Sequence, residues 1–480
     1  MDHNSKARAV KNIAITGTAQ AWRIGTGLLL TIVTTRFLSP SDFGILAMVG
    51  TATALIALVK DLGISQAIVQ REIISDNQVS SLFWVSVVVS IIFAALLAAS
   101  APVMASFYAE PRVEPLTLCF AVLTLLGGPQ AVPSAILNRN SQFNQLAIVD
   151  IASSTVAFAV GLSGTLLWQN YWGLYASAAS ATIVSGVGIW VFSRYKPSAP
   201  HLDKNVSDML RFGSHVSGFN IVNYFARNCD NILIGRFQGS EQLGTYDRAY
   251  RLLLFPISQI HGPIGQVLVP LLARLRTEPE RYRSTYIEAV SLIMVVMQPG
   301  ILYAVIFAHQ LFDLLFGEKW TAAASIFQWL GIAGLHQVIT STVGWLFLSQ
   351  GRGGDFFRIG VYSSVLTVGS FIVGLPWGAV GVASAYAISN TIIVAPLVWI
   401  HTGRRGPVSC PDLIRAAVPH ALAVAVTAPI LKFLQLSSSG LTIYQALGFA
   451  AISYLVHVGI VLLFPSKRDL LWRAIRLLKR

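Results

Sequence analysis

The sequence predicts an all-α polytopic membrane protein of about 14 transmembrane helices, set as two pseudo-symmetric six-helix lobes around a central cavity, with two extra helices after them. Three observations predict it. The 480 residues are 54% hydrophobic and only 11% charged, with a mean hydropathy of +0.64, against roughly 25% charge in an ordinary soluble chain. The apolar residues gather into stretches of ~20, the length a bilayer demands of a helix. The lysines and arginines fall almost wholly into alternate loops.

In chain order the apolar stretches run near 12–35, 43–59, 80–105, 115–137, 147–168, 172–193, 212–235, 243–272, 287–312, 321–349, 357–375, 378–400, 413–431 and 442–464. An even number of spans places both termini on one side. With the N-terminus inside, the inside segments and span edges hold 25 of the 34 lysines and arginines. The outside segments hold five, Arg36, Arg112, Arg236, Lys319 and Lys432, and four lie inside spans. A wrong count or frame mixes the two populations, so the positive-inside bias supports both the number of spans and their direction. Trp168, Trp172, Trp320 and Trp377 stand at the expected outer ends, where interfacial anchors belong. Lys6, Arg8 and Lys11 before an apolar run imitate a signal peptide. That run is too long, contains Arg23 and lacks a small-residue cleavage site, so it reads as a retained first span.

An internal repeat divides the chain. Arg36-Phe37, five residues, then Phe43-Gly44 follows the first span; Arg236-Phe237, five residues, then Leu243-Gly244 follows the seventh, 200 residues on. Both copies open an outer loop and both spans enter in the same direction. The expected organisation is therefore two parallel lobes, 1–211 and 212–402, an extra helix pair over 403–465 and a tail over 466–480. Transporters built from such repeats carry substrate between the halves. The tail interleaves Leu470, Leu471, Trp472, Ile475, Leu477 and Leu478 with Lys467, Arg468, Arg473, Arg476, Lys479 and Arg480. It reads as a basic amphipathic helix on the cytoplasmic leaflet, the alternative being a docking site for a partner.

The net charge of +13 does not mark a nucleic-acid binder, because the cations are spread over loops between apolar segments. Cys119, Cys229 and Cys410 are far apart and make no metal or disulfide pattern. No GxxxxGK[ST], HExxH or GxSxG motif occurs, and the longest hydrophilic loops leave little room for an extracytoplasmic catalytic domain. A transporter without metal or cofactor is expected, not an enzyme.

Charge inside a span costs at least ~2.5 kcal/mol on insertion scales, so intramembrane cations need a reason. There are four: Arg23, Arg227, Arg248 and Arg251. Thr16, Gln20, Arg23, Gly27, Thr31 and Thr34 form one polar stripe in the first span; Asn220, Asn223, Tyr224, Arg227 and Asn231 form another in the seventh, with Asp230 beside it. Arg23 maps onto Asn223 in the repeat, so both stripes are placed on a shared, wet, positive cavity, where guanidinium forks suit phosphate oxygens. The structural alternatives are internal ion pairs, Arg227 with Asp230 and Arg251 with Asp247, and a snorkelling Arg248. Asp230 and Asp247 are also the candidates for a coupling proton or sodium ion. Pro256, Pro263 and Pro270 recur every seven residues beside Gly262 and Gly265 and mark a candidate hinge. His261 among them reads as a packing residue.

Arg36-Phe-Leu-Ser-Pro-Ser-Asp-Phe-Gly44, Gly63-Ile-Ser-Gln-Ala-Ile-Val-Gln70, Asn228-Cys-Asp-Asn-Ile-Leu-Ile-Gly-Arg-Phe237 and Leu243-Gly-Thr-Tyr-Asp-Arg-Ala-Tyr250 resemble the polysaccharide transporter family. That family includes the Wzx-type flippases of the multidrug/oligosaccharidyl-lipid/polysaccharide exporter superfamily. The resemblance implies a cationic cavity that alternates access and turns an undecaprenyl-pyrophosphate-linked oligosaccharide repeat unit across the bacterial inner membrane for exopolysaccharide or lipopolysaccharide synthesis. It implies substrate contact at Arg23, Arg227, Asp230, Arg248 and Arg251, with membrane lipids and other polysaccharide-assembly proteins as partners. The rivals are a multidrug or small-molecule exporter, a lipid II flippase and an integral-membrane polysaccharide polymerase; four intramembrane arginines oppose a cationic drug.

Overall fold

No water reaches the hydrocarbon of a bilayer to satisfy a backbone amide, so a crossing segment must close its hydrogen bonds internally. The computed structural model describes residues 3–60, 65, 68–69, 71, 74–199, 206–438 and 440–478, and among them it is helical almost throughout, with no strand. The side chains of 3–14, 206–223, 226, 474, 475, 477 and 478 lie outside the description.

In chain order the helices are α1 (His3–Phe37), α2 (Pro40–Lys60), α3 (Asp76–Tyr108), α4 (Val113–Arg139), α5 (Phe143–Trp168), α6 (Trp172–Ser193), α7 (206–238), α8 (240–274), α9 (Pro279–Ile306), α10 (Ala308–Phe316), α11 (Glu318–Gln350), α12 (Gly353–Gly374), α13 (378–403), α14 (Cys410–Leu436), α15 (Ile443–Leu462) and α16 (Pro465–Leu478). Eleven stretches among the described residues are long and apolar enough to cross a membrane, and two of them, Arg227–Arg274 and Gly353–Gly403, each hold two passes. α1, with its polar stripe, is less apolar and is not among them. The chain is a multi-pass membrane protein. The breaks inside the two long stretches are at glycine: Gly239 (φ 81°) ends α7 and Gly378 (φ 72°) opens α13, in a region that a β-carbon strains.

The chain forms two compact units, Met1–Gly244 and Thr245–Arg480. In the first, α5 and α6 approach through small residues. A β-carbon on Gly173 would lie 2.5 Å from the Thr165 amide, and one on Gly161 would lie 2.8 Å from Cβ of Ser177. Without a hydrophobic drive between helices in lipid, such close backbone contact is what holds a pair together. α1 is tied to α5 by Trp22 Nε1 donating to Thr155 Oγ1 at 2.9 Å. The start of α3 is capped reciprocally by Ser75 and Gln78.

In the second unit α9 and α11 are the most enclosed spans. Buried Tyr282 and Tyr286 of α9 meet Ser349 (2.6 Å) and Thr342 (2.8 Å) of α11 through their hydroxyls. α14 and α15 pack on α9 through Leu302, Tyr303, Phe307 and Leu431, with Phe307 stacked on Phe449 at 5.2 Å. Near Pro299 in mid-α9 two carbonyls accept from α15: Ser453 Oγ donates to the Pro299 carbonyl and Tyr454 Oη to that of Val296, both at 2.8 Å.

Trp168 and Trp377 are exposed at helix ends, as anchors should be. Trp320 is not an anchor: it is fully buried, with Phe316 edge-on at 6.2 Å. Its indole fills the corner where a short 3₁₀ turn starts α11, and that corner packing overrides the interfacial preference.

Candidate functional site

α1 places Arg23 about 20 Å from the helix end at Phe37, well inside the span. There it lines a cavity of about 570 Å³ within the N-terminal unit, walled by α1, α4, α5 and α6. Besides Arg23 the wall presents Gln130, Asp150 and the hydroxyls of Ser153, Ser177 and Thr182. Gln130 reaches it because α4 tightens into a 3₁₀ turn at Gly128–Gln130, and its amide donates to the carbonyls of Leu126 (3.0 Å) and Thr182 (3.1 Å). Arg23 donates through Nη2 to Gln20 Oε1 at 2.5 Å, its hydrogen-bond partner among the described residues. The hydroxyls of Ser153 and Ser177 donate to helix carbonyls, at Asp150 and Ala157, and keep their oxygens as acceptors. One guanidinium, one carboxylate and a ring of hydroxyls suit a ligand that is both phosphorylated and rich in OH groups.

A count of intramembrane cations passes over Asp150. A carboxylate in α5 is a visible signal in the sequence; that α1 packs beside it is not.

The other candidates fall elsewhere. Arg227 is exposed on α7, without a hydrogen-bond or ion-pair partner among the described residues, and does not line the Arg23 cavity. Asp230 is buried at 2% exposure and accepts the Asn231 amide at 2.8 Å. Asn220 and Asn223 have side chains outside the described residues. Arg248 and Arg251, in the second unit, share one counter-ion: Asp247 Oδ2 lies 3.0 Å from Arg248 Nη2, and Asp247 Oδ1 lies 2.7 Å from Arg251 Nε. The internal pairing that the four-residue spacing allowed is the one observed, and the carboxylate between them is almost fully buried. Of the three, Arg251 is the exposed member, at 63%.

α8 runs through Pro256, Pro263 and Pro270 with helical dihedrals, the departure within 206–274 being at Gly239. His261 packs on Trp345 at 4.4 Å between ring centres, and Gly265 leaves room for the same indole.

The two copies of the repeat meet within the N-terminal unit, at the starts of α2 and α8. A β-carbon on Gly44 would overlap the Ser240 carbonyl oxygen, and one on Gly244 would overlap that of Pro40. Each copy's glycine thus receives the other copy's backbone, Pro40 and Ser240 being equivalent in the 200-residue repeat. Around this contact Ser41 Oγ and Ser240 Oγ are 2.8 Å apart, Ser240 donates to Glu110 at 3.2 Å, and Arg112 bridges Glu110 (2.8 Å) and Ser41 (3.0 Å). Hydrogen bonds from Arg112 hold the Glu110 carboxyl below its ordinary pKa, against the opposing effect of partial burial. A depressed carboxylate contributes stability above its unfolded pKa, and that contribution disappears as pH falls through the lowered value. Protection of amides 105–115, taken as exchange relative to the intrinsic rate at each pH, is therefore expected to be high at neutral pH and to fall below the normal carboxylate range. Glu110→Gln should show weak protection at both.

The match to known proteins agrees with this architecture. Residues 33–325 fit the family model described as "Polysaccharide biosynthesis protein". The chain is 25% identical over 382 residues to the lipopolysaccharide biosynthesis protein WzxC of Escherichia coli (strain K12), covering 77% of this chain and 76% of that one. It is 27% identical over 302 residues to the teichuronic acid biosynthesis protein TuaB of Bacillus subtilis (strain 168), 62% of each chain. Its fold resembles the lipid II flippase MurJ in an inward closed conformation, with a TM-score of 0.76 at 15% identity over 95% of this chain and 100% of that one.

Proposed function

The chain belongs to the polysaccharide biosynthesis protein family, and on that footing we propose that it is a flippase, not an enzyme, carrying an undecaprenyl-pyrophosphate-linked oligosaccharide across the bacterial inner membrane by alternating access. The observation that carries this reading is the polar cavity around Arg23, inside a bundle whose spans are otherwise apolar. A guanidinium there has no structural ion pair among the described residues, so it is free to meet a phosphate, and the hydroxyls and Asp150 suit sugar OH groups. The polyprenyl tail stays in lipid while the head group crosses. Both termini face the cytoplasm in this reading, in keeping with the lysine and arginine bias. The lobes move as 1–211 and 212–402, Arg227, Arg248 and Arg251 contact the phosphates on the way, Asp230 and Asp247 take part in ion coupling, and Pro256, Pro263 and Pro270 let α8 bend.

Glutamate at Arg23 or at Arg227, in a null strain complemented with the variant, tests it. Export of surface polymer is expected to fall at least tenfold for Arg23→Glu, the equivalent of ~1.4 kcal/mol lost from a charge-assisted contact, with lipid-linked repeat units accumulating on the inner leaflet. Normal insertion and undiminished export in both variants overturn the cationic-cavity mechanism.

A further inference from the structure

α16 carries the sequence pattern of a free surface helix, yet it is clamped onto α9. Lys467 Nζ donates to Ser291 Oγ at 2.5 Å, Arg473 pairs with Glu288 at 2.9 Å, and Leu470 is buried. Between α9, α14 and α16 remains a cavity of about 740 Å³, wholly within the C-terminal unit. It lies where these three helices begin, the end of the bundle that the positive-inside bias assigns to the cytoplasmic interface.

Its four cations and four acids balance in number but only half of them pair with one another. Arg283 pairs with Asp412 at 3.3 Å and Arg473 with Glu288, closing two pairs. Two cations, Lys467 and Arg415, and two acids, Glu280 and Asp469, also line the cavity and have no ion-pair partner among the described residues. Lys467 is the telling one. It is only 7% exposed, and its ammonium has a neutral hydroxyl as its hydrogen-bond partner. Burial holds its pKa below the ordinary lysine value, with Glu288 pulling it back up. A buried ammonium without a bonded counter-ion is costly, and an anion arriving from outside removes that cost. The two unpaired acids oppose a purely anionic ligand and favour one that brings its own cation. Ile287, Val418, Pro419 and Phe464 supply an apolar wall beside the charges.

We propose that this cavity binds the headgroup of a phosphoethanolamine lipid from the cytoplasmic leaflet, with Lys467 and Arg415 on its phosphate and Glu280 and Asp469 on its primary ammonium. The volume lies in the usual range of small-ligand sites. The inference does not depend on which cargo the protein carries.

The test uses the purified full-length protein in neutral detergent, read by native mass spectrometry and by thermal unfolding. The probes are phosphatidylethanolamine, phosphatidylglycerol, phosphatidylcholine and free phosphoethanolamine. Phosphatidylethanolamine is expected to be retained and to raise Tm most. Phosphatidylglycerol lacks the ammonium, the trimethylated choline cannot donate hydrogen bonds, and the free headgroup lacks the acyl chains that use the apolar wall. Lys467→Met, which preserves volume and removes a buried charge, should weaken phosphatidylethanolamine about tenfold while leaving lipid-free Tm unchanged or higher. Glu280→Gln with Asp469→Asn should abolish the preference over phosphatidylglycerol and keep phosphate binding. Equal retention of phosphatidylethanolamine and phosphatidylglycerol by the wild type overturns the proposal, as does undiminished binding by Lys467→Met. Binding of free phosphoethanolamine as tight as that of the lipid overturns it too, because the ligand is then soluble.

Discussion

Cells carrying Ser41→Cys together with Ser240→Cys are expected to lose polymer export under oxidising conditions and to regain it on reduction. The two hydroxyl oxygens are 2.8 Å apart, so thiols placed on these side chains face each other. They stand at the starts of α2 and α8, one in each copy of the repeat, and there the two copies touch backbone to backbone. In the proposed reading the lobes 1–211 and 212–402 separate at this contact to release cargo, so a covalent link across it should arrest the cycle at the clasped stage. Export should drop to the background of the null strain. The native Cys119, Cys229 and Cys410 are free thiols, and replacing them with serine keeps the readout clean. Quantitative cross-linking with unaltered export would mean that the contact stays closed throughout transport.

The complementary expectation is that Gly44→Leu and Gly244→Leu each prevent the clasp from closing. The added β-carbon would collide with the Ser240 carbonyl oxygen in the first case and with that of Pro40 in the second. The obstacle is main chain on a helix, so no rotamer change relieves it. Overpacking of this kind costs roughly 1–3 kcal/mol, a shift of about 5- to 150-fold in the balance between clasped and parted states. Export should fall in both variants, and the cysteine pair engineered at positions 41 and 240 should cross-link poorly on the same backgrounds. Gly50, further along α2, has open space where its β-carbon would go. Gly50→Leu is therefore the control for insertion and abundance, and a loss there equal to that at Gly44 would sink the steric account.

Much of the fold is legible in the sequence because lipid imposes few alternatives. A bilayer requires helices of a certain length, and the apolar runs supply them; Gly239 breaks the long run close to the division between the seventh and eighth stretches. The repeat is legible as spacing, although its meaning is not. That Gly44 and Gly244 receive each other's backbone is a property of two segments 200 residues apart in sequence, and no local pattern reports it. The candidate site is half legible. Arg23 stands out as a charge where charge is expensive, and Gln20 does prove to be its neighbour. Asp150 does not stand out, because the repeat directs attention to the equivalent seventh span, whereas α1 packs along α5 and α6.

Composition, periodicity and the charge asymmetry of the loops determined by themselves that this chain is a multi-span helical membrane protein, and they singled out the guanidinium groups within its apolar stretches. Those are properties of each segment against its solvent, which a one-dimensional reading captures. The i, i+4 pairing of Arg251 with Asp247 was open to the sequence; tertiary structure alone decided that Arg473 meets Glu288 and that Lys467 is left against a hydroxyl. The reason is physical. The cost of a buried charge depends on the groups within a few ångströms of it, and those groups come from helices that only packing brings together.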